Sequence, residues 1–148
     1  MIIANYSVIT KAGKADIWPF YANLSLWPDW DEDVVYAHID EPNKFICGAR
    51  GIIKPAGGPK VKFELSEVEN NKSFTVVSHL PLTKMIFAHY LRDNPDGTTT
   101  IIHQVEMEGL TSHIFAFIIG RKIKENLPYA MSKLVKLAES KSLKGCPQ

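Results

Sequence analysis

The sequence predicts one α+β domain: a curved antiparallel β-sheet of about seven strands wrapped around a long C-terminal α-helix, with short helices after the first strand. Three observations predict it. Strand-like segments follow one another between Val34 and Glu108, separated by short turns, and short turns force antiparallel neighbours. After Gly109 the apolar period changes from 2 to about 3.6 residues. The resulting sheet is apolar on one face and needs a cover, which only the C-terminal helix is long enough to provide.

The elements follow in order. Ile2 to Thr10 is rich in β-branched residues and alternates in part, so it reads as a strand. Ala12 to Asn23 has helical composition but carries Pro19. Proline is tolerated in a first turn and costs about 3 kcal/mol further inside, which places the helix start near Trp18. Ser25 to Asp33 is a short irregular stretch. Strands are expected at Val34–Ile39, Phe45–Lys54, Val61–Val68, Ser73–Leu80, Thr83–Arg92 and Thr98–Glu108. Turns at residues 55–59, 70–72, 81–82 and 94–97 join the last five. The stretch Asn94-Pro95-Asp96-Gly97 is a hairpin signal. Ser112 is the expected N-cap of the final helix. Phe115, Ile119, Ile123, Leu127, Ala130, Leu134 and Ala138 recur at intervals of three or four and mark its apolar face. This helix continues to about Ser140, roughly 45 Å. Pro128 should kink it. Gly145 and Pro147 end the ordered chain, so the ordered core of the single domain spans about residues 2–141.

Composition bounds the function. The chain has 148 residues, 45% of them apolar and 22% charged, the profile of a globular domain with a real core. A net charge of +1 offers no case for nucleic acid. The C-terminal lysines alternate with apolar residues and read as a solvated helix face. Cys47 and Cys146 are far apart and form no CxxC pair, which argues against a disulfide scaffold and against a zinc site. No signal-peptide pattern opens the sequence. The longest apolar run, Ile114 to Ile119, is too short to span a membrane. A cytoplasmic setting is expected, with no integral membrane segment.

The order of elements carries a resemblance. With Trp27-Pro28-Asp29-Trp30 after the first helix, Asp96-Gly97-Thr98 at the last hairpin and Leu134-x-x-Leu137-Ala138-Glu139 closing the helix, the chain resembles the START-like (SRPBCC) superfamily from about Ile3 to Ser140. Birch pollen allergen, lipid-transfer START domains and polyketide cyclases or dehydrases belong to it. The resemblance implies a helix-grip fold with a cavity between the sheet and the last helix. It does not fix an activity, because the superfamily includes cyclases, lipid carriers, hormone receptors and chaperone activators. Pro19 departs from the pattern near the expected cavity mouth.

The lining can be read from the residues themselves. A turn centred on Pro95 sets Phe87 opposite His103, His89 opposite Ile101 and Met85 opposite Val105. Met85, Phe87, His89 and Leu91 then share the concave side with Ile101, His103, Val105 and Met107, while Lys84, Arg92, Gln104 and Glu106 face outward. In the Phe45–Lys54 strand, one register turns Arg50 and Lys54 inward and the other turns Cys47, Ala49, Gly51 and Ile53 inward. Burying unpaired charge is costly, which favours the second. Small residues there leave room for a ligand, or for the helix to approach. The expected ligand-binding residues are Trp27, Phe63, Met85, Phe87, His89, Ile101, His103, Val105, Phe115, Ile119, Ile123 and Leu127.

His89 and His103 are the candidate catalytic residues. An imidazole titrates near pH 6.5 and can move protons in an apolar pocket. The structural alternative is a pair of buried histidines hydrogen-bonded to backbone or water. Trp27 could offer a stacking wall or, like Trp30, a hydrophobic plug. His38, His79 and His113 lie near element ends and read as exposed. Asp29, Asp31, Glu32 and Asp33 lack the spacing of a calcium loop and read as solvated acid. Neither a phosphate loop nor a catalytic triad pattern is present, so neither cofactor nor metal is expected. The leading expectation is a binder of a small hydrophobic molecule such as a lipid, polyketide or isoprenoid. The alternatives are a cofactor-independent cyclase- or dehydratase-like enzyme with a pocket histidine as general base, and a protein-interaction module. A homodimer could form through the outer sheet face, where Ile86 and Ile102 interrupt the polar pattern.

Overall fold

A computed structural model describes residues 1–40 and 44–144. The chain runs β1 (Ile2–Thr10), α1 (Lys14–Ala22), a 3-10 turn (Leu24–Leu26), α2 (Trp27–Trp30), β2 (Val34–Ile39), β3 (Arg50–Pro55), β4 (Val61–Glu69), β5 (Ser73–Leu80), β6 (Thr83–Asp93), β7 (Thr99–Gly109) and α3 (Ser112–Lys144). All seven strands form one antiparallel sheet in the order β1-β7-β6-β5-β4-β3-β2. β1 and β2 are therefore the two edges, and α1, the 3-10 turn and α2 carry the chain between them. The α+β class, the strand count and the long C-terminal helix agree with the sequence expectation.

Four local expectations need correction. The first concerns α1, which starts at Lys14 rather than near Trp18, so Pro19 lies inside it. The Gly13 carbonyl accepts from the Asp16 and Ile17 N–H groups and opens the helix early. In so short a helix, Pro19 forfeits only one backbone bond, and its own carbonyl still accepts from Asn23 N–H. The irregular stretch after it contains the 3-10 turn and the single turn of α2.

The second correction concerns β3, which begins at Arg50, with a turn at Cys47–Gly48 before it. Gly51 and Ile53 point inward and Arg50 is exposed, as expected, but Cys47 is exposed too. Neither a ligand space nor the helix explains the small residue at Gly51. A Cβ there would lie 2.1 Å from the His38 carbonyl oxygen and 2.8 Å from the Phe63 ring. The inward space is filled from the opposing strand. Along β4, Phe63 and Leu65 are inward as read, and a bulge between Leu65 and Glu67 lets Val68 join the core while Glu67 and Glu69 stay outside.

The third correction concerns the β6–β7 register. Met85 pairs with Met107, Phe87 with Val105 and His89 with His103. The hairpin centres on Asp96 rather than Pro95. Asp96 Oδ1 accepts from Thr98 N–H and hydroxyl, Asn94 N–H bonds the Thr98 carbonyl, and Gly97 takes φ 89°. Moving the centre by one residue slips the register by two, so every inward assignment survives.

The fourth concerns the α3 cap. Phe115 N–H bonds the Thr111 carbonyl, which puts the cap position at Thr111, not Ser112. The Thr111 hydroxyl instead bonds Thr83 and the Pro81 carbonyl, tying the helix start to the β5–β6 turn. α3 runs unbroken through Pro128 for 33 residues.

The core gathers where the second half of α3 crosses the sheet. Leu127, Ala130, Met131, Leu134 and Ala138 pack with Ile17, Tyr21, Trp27, Trp30, Phe63, Leu65, Phe74 and Ile101. At α3's far end Glu139 accepts from the Thr10 hydroxyl and Lys11 N–H, anchoring the helix to the end of β1. Its carboxyl lies below the usual range, chiefly because Thr10 donates to the charged form. The acidic stretch after α2 straps onto α3 rather than only facing water: Asn126 bonds Asp31, Lys122 pairs with Asp33, and Lys133 pairs with Glu32. Burial raises the Asp31 carboxyl. Cys146, Gly145 and Pro147 lie outside the described residues.

Candidate functional site

The site is assembled from β5, β6, β7 and α1. The register sets Phe74 beside His89 and His89 beside His103 on the concave face. His89 is stacked between two phenyl rings: Phe74 at 3.9 Å and Phe87 at 4.4 Å between centroids, each nearly parallel. His103 meets His89 edge-on at 4.5 Å. α1 drops Tyr21 over the pair, and its hydroxyl bonds His103 Nε2 at 2.8 Å. Trp30 and Phe87 lie against the remaining sides of His103. Trp18 packs edge-on to Tyr21 and Phe74.

Both histidines are buried, His103 completely. His89 Nδ1 bonds the Phe74 carbonyl at 3.3 Å. Among the described residues His103 Nδ1 has no hydrogen-bond partner. If the Tyr21 hydroxyl donates to Nε2, the Nδ1–H of His103 is left over; if Nε2–H donates to Tyr21, the tyrosine proton and the Nδ1 lone pair are left over. Either way one polar atom of the pair is left without a protein partner among the described residues. Burial holds His103 down to about 3 and His89 well below its ordinary value, with the neighbouring His103 adding to the effect on His89. Burial likewise pushes the Tyr21 hydroxyl well above 10. The three groups are neutral at neutral pH. An inflection near pH 6.5, expected of an ordinary imidazole, is therefore moved far to the acid side.

The sequence-derived lining separates into two zones. Trp27, Phe63, Ile101 and Leu127 belong to the closed core around the histidines. Trp27 lies near Phe63 and Phe74 and donates its indole N–H to the Tyr21 carbonyl, while Trp30 donates to the Phe20 carbonyl. Both tryptophans thus lock α1 and α2 together. Val105 is buried with Ile3 and Met107, whereas Met85, Phe87, Phe115, Ile119 and Ile123 around it are only partly buried. Phe87 and Ile123 touch both zones. The centre of the concave face is filled by aromatic rings. Partly buried apolar side chains lie beside it, around the first half of α3.

Sequence reasoning missed Tyr21, Trp18 and Phe74. The spacing of Ile17 and Tyr21 is helical, but starting α1 at Trp18 hid it. The inward face of β5 has no alternation to show, because Ser73 through Ser78 are all buried. His38, His79 and His113 are exposed as expected. Among the described residues, no three His, Cys, Asp or Glu side chains converge as a metal site would need.

Comparison with known proteins extends the description of the fold. No family model and no curated protein matches the chain in sequence. Solved structures match it well in shape. A hypothetical protein of Helicobacter pylori superposes with TM-score 0.75 at 12% identity, covering 90% of this chain and 86% of that one. A protein of Mesorhizobium loti gives 0.68 at 18%, covering 93% and 98%. The di-domain ARO/CYC protein BexL of the BE-7585A biosynthetic pathway gives 0.70 at 14%, covering 92% of this chain and 46% of its own length. At such identities the likeness is one of fold.

Proposed function

We propose that the protein binds a small hydrophobic molecule between the sheet and the first half of α3. The observation that carries this reading is the set Met85, Phe87, Phe115, Ile119 and Ile123: inward or helix-facing apolar side chains that stay partly exposed. Elsewhere the same helix closes tightly on the same sheet. Apolar surface left open inside a concave element is the usual makeup of a ligand site. Phe87 stands between this surface and the histidines, stacked on His89 and edge-on to His103.

The test is a thermal-shift panel of fatty acids, isoprenoid alcohols and aromatic polyketides. A true ligand stabilises the folded protein by mass action, by about 2.7 kcal/mol at a hundredfold excess over Kd, and so raises the melting temperature. Ile119→Glu should abolish the shift. A panel with no shift at saturating concentrations would remove the reading and leave the ring-filled centre to a protein-interaction role.

A cyclase- or dehydratase-like reaction is the second reading. The Tyr21–His103 hydrogen bond favours it, because Phe87 packs both on His103 and on the partly buried apolar cluster beside it. The likeness of fold to the ARO/CYC protein adds support. Turnover of a β-ketone substrate that is unchanged in both His89→Ala and His103→Ala would eliminate it.

A further inference from the structure

A second surface lies where α3 begins. Leu110 is 88% exposed, Ile114 58%, Phe117 89% and Ile118 63%. Leu82 and Ile2 are exposed as well. These residues come from neighbouring segments. Gly109 passes so close to the β5–β6 turn that a Cβ on it would lie 2.3 Å from the Leu82 carbonyl oxygen. Phe117 shares a groove of about 390 Å³ with Met1, Ile2, Ala116, Arg121 and Lys124. Phe115 and Ile119 of the same helix pack inward, while Ile114, Phe117 and Ile118 face out. A surface helix normally carries polar residues on its outer side, and exposed apolar clusters mark interaction sites.

The charges continue the pattern. At about 3.6 residues per turn, Arg121 and Lys124 fall on the same stripe as Ile114, Phe117 and Ile118. From Gly109 to Lys124 the sequence holds three Lys or Arg residues and no carboxylate. Lys122 turns aside to Asp33 and the Ala56 carbonyl. Glu125, next along the stripe, is held by Arg121 at 2.9 Å. On the neighbouring sheet Lys84 and Glu108 lie opposite each other.

We infer that this end of the molecule docks on an anionic lipid bilayer. Leu110, Ile114, Phe117 and Ile118 enter the boundary between headgroups and acyl chains, and Arg121 and Lys124 meet the lipid phosphates. Two features select a bilayer over a protein. The apolar side chains protrude, and fluid hydrocarbon accepts any convex shape, whereas a protein partner needs a matching hollow. The groove beside Phe117 also joins apolar walls to two cations, the two chemistries of an anionic lipid. A second copy of the chain would bring Lys124 of both molecules into one contact whose carboxylate, Glu125, is already paired with Arg121. No described helix is long and apolar enough to cross a membrane, so the attachment is interfacial.

Flotation of the full chain with phosphatidylcholine vesicles, with and without phosphatidylglycerol, tests this. The protein should float with the anionic vesicles. Phe117→Asp should abolish flotation while leaving the circular dichroism spectrum and melting temperature unchanged, since the ring touches little of the core. Arg121→Ser and Lys124→Ser should each lower partitioning about fivefold. Failure to float with anionic vesicles, or flotation indifferent to Phe117→Asp, would overturn the inference. So would a concentration-dependent dimer, seen by light scattering, that Phe117→Asp dissolves, because the face would then belong to a second copy.

Discussion

An imidazole without water around it is costlier to protonate than one in solution, and both concave-face histidines sit in that condition. The consequence is a stability that depends on acid. Unfolded, His103 titrates near 6.5; folded, burial holds it at about 3. Between those values the unfolded chain carries the extra proton. The contribution of neutral His103 is thus full above about pH 6.5 and is lost as pH falls toward 3. His89 is shifted in the same direction. Urea unfolding should show stability falling with acid, each histidine adding about 1.4 kcal/mol per pH unit within its window. His103→Gln keeps an acceptor for Tyr21 and removes the proton, so the difference between variant and parent should shrink as pH drops from 6 to 4. Parallel curves would mean that His103 takes up its proton in the folded state. The histidines were legible in the sequence because they interrupt an otherwise apolar alternation. Tyr21 was not, because its importance comes from a hydroxyl reaching across 82 positions.

Strands and helices were easier to read than the distances between them. The inward faces of β6 and β7 follow from alternation alone, which tolerates a slip of two residues. The true register needed the Asp96–Thr98 hydrogen bonds of the turn, and that is why His89 and His103 face each other directly rather than diagonally. The β2–β3 pair shows the same limit. Small inward residues were visible, but not what presses on Gly51. Its missing side chain is required by the His38 carbonyl and the Phe63 ring. Gly51→Ala should force these two strands apart and cost about 3 kcal/mol, in the range of overpacked sites. The melting temperature should fall by roughly 10 °C. Gly13→Ala is the control, since a Cβ there meets only the Asp16 carboxylate at 3.9 Å. Equal melting temperatures for the two variants would show that β2 yields without cost.

Taken as a whole the molecule is closed at one end of its long helix and open at the other. Residues 127–138 of α3 supply five fully or nearly buried side chains to the main core, and Glu139 ties the end to β1. Residues 115–123 rest on a smaller cluster around Ile3, Val105 and Met107, with Phe115, Ile119 and Ile123 left partly open. Local opening free energy follows buried apolar contact, so the two halves of one helix should exchange amide hydrogens at different rates. Peptides spanning 112–124 should exchange well before peptides spanning 127–140. A molecule bound under the first half would add the missing contacts there and slow that exchange, leaving the second half as it was. Lipid vesicles would slow the same peptides, but Phe117→Asp would cancel that protection and spare the protection given by a small ligand. Uniform exchange along α3 in the free protein would mean that the smaller cluster holds the helix as firmly as the main core. The half-exposed side chains would then be ordinary surface, and the binding reading would lose its structural basis.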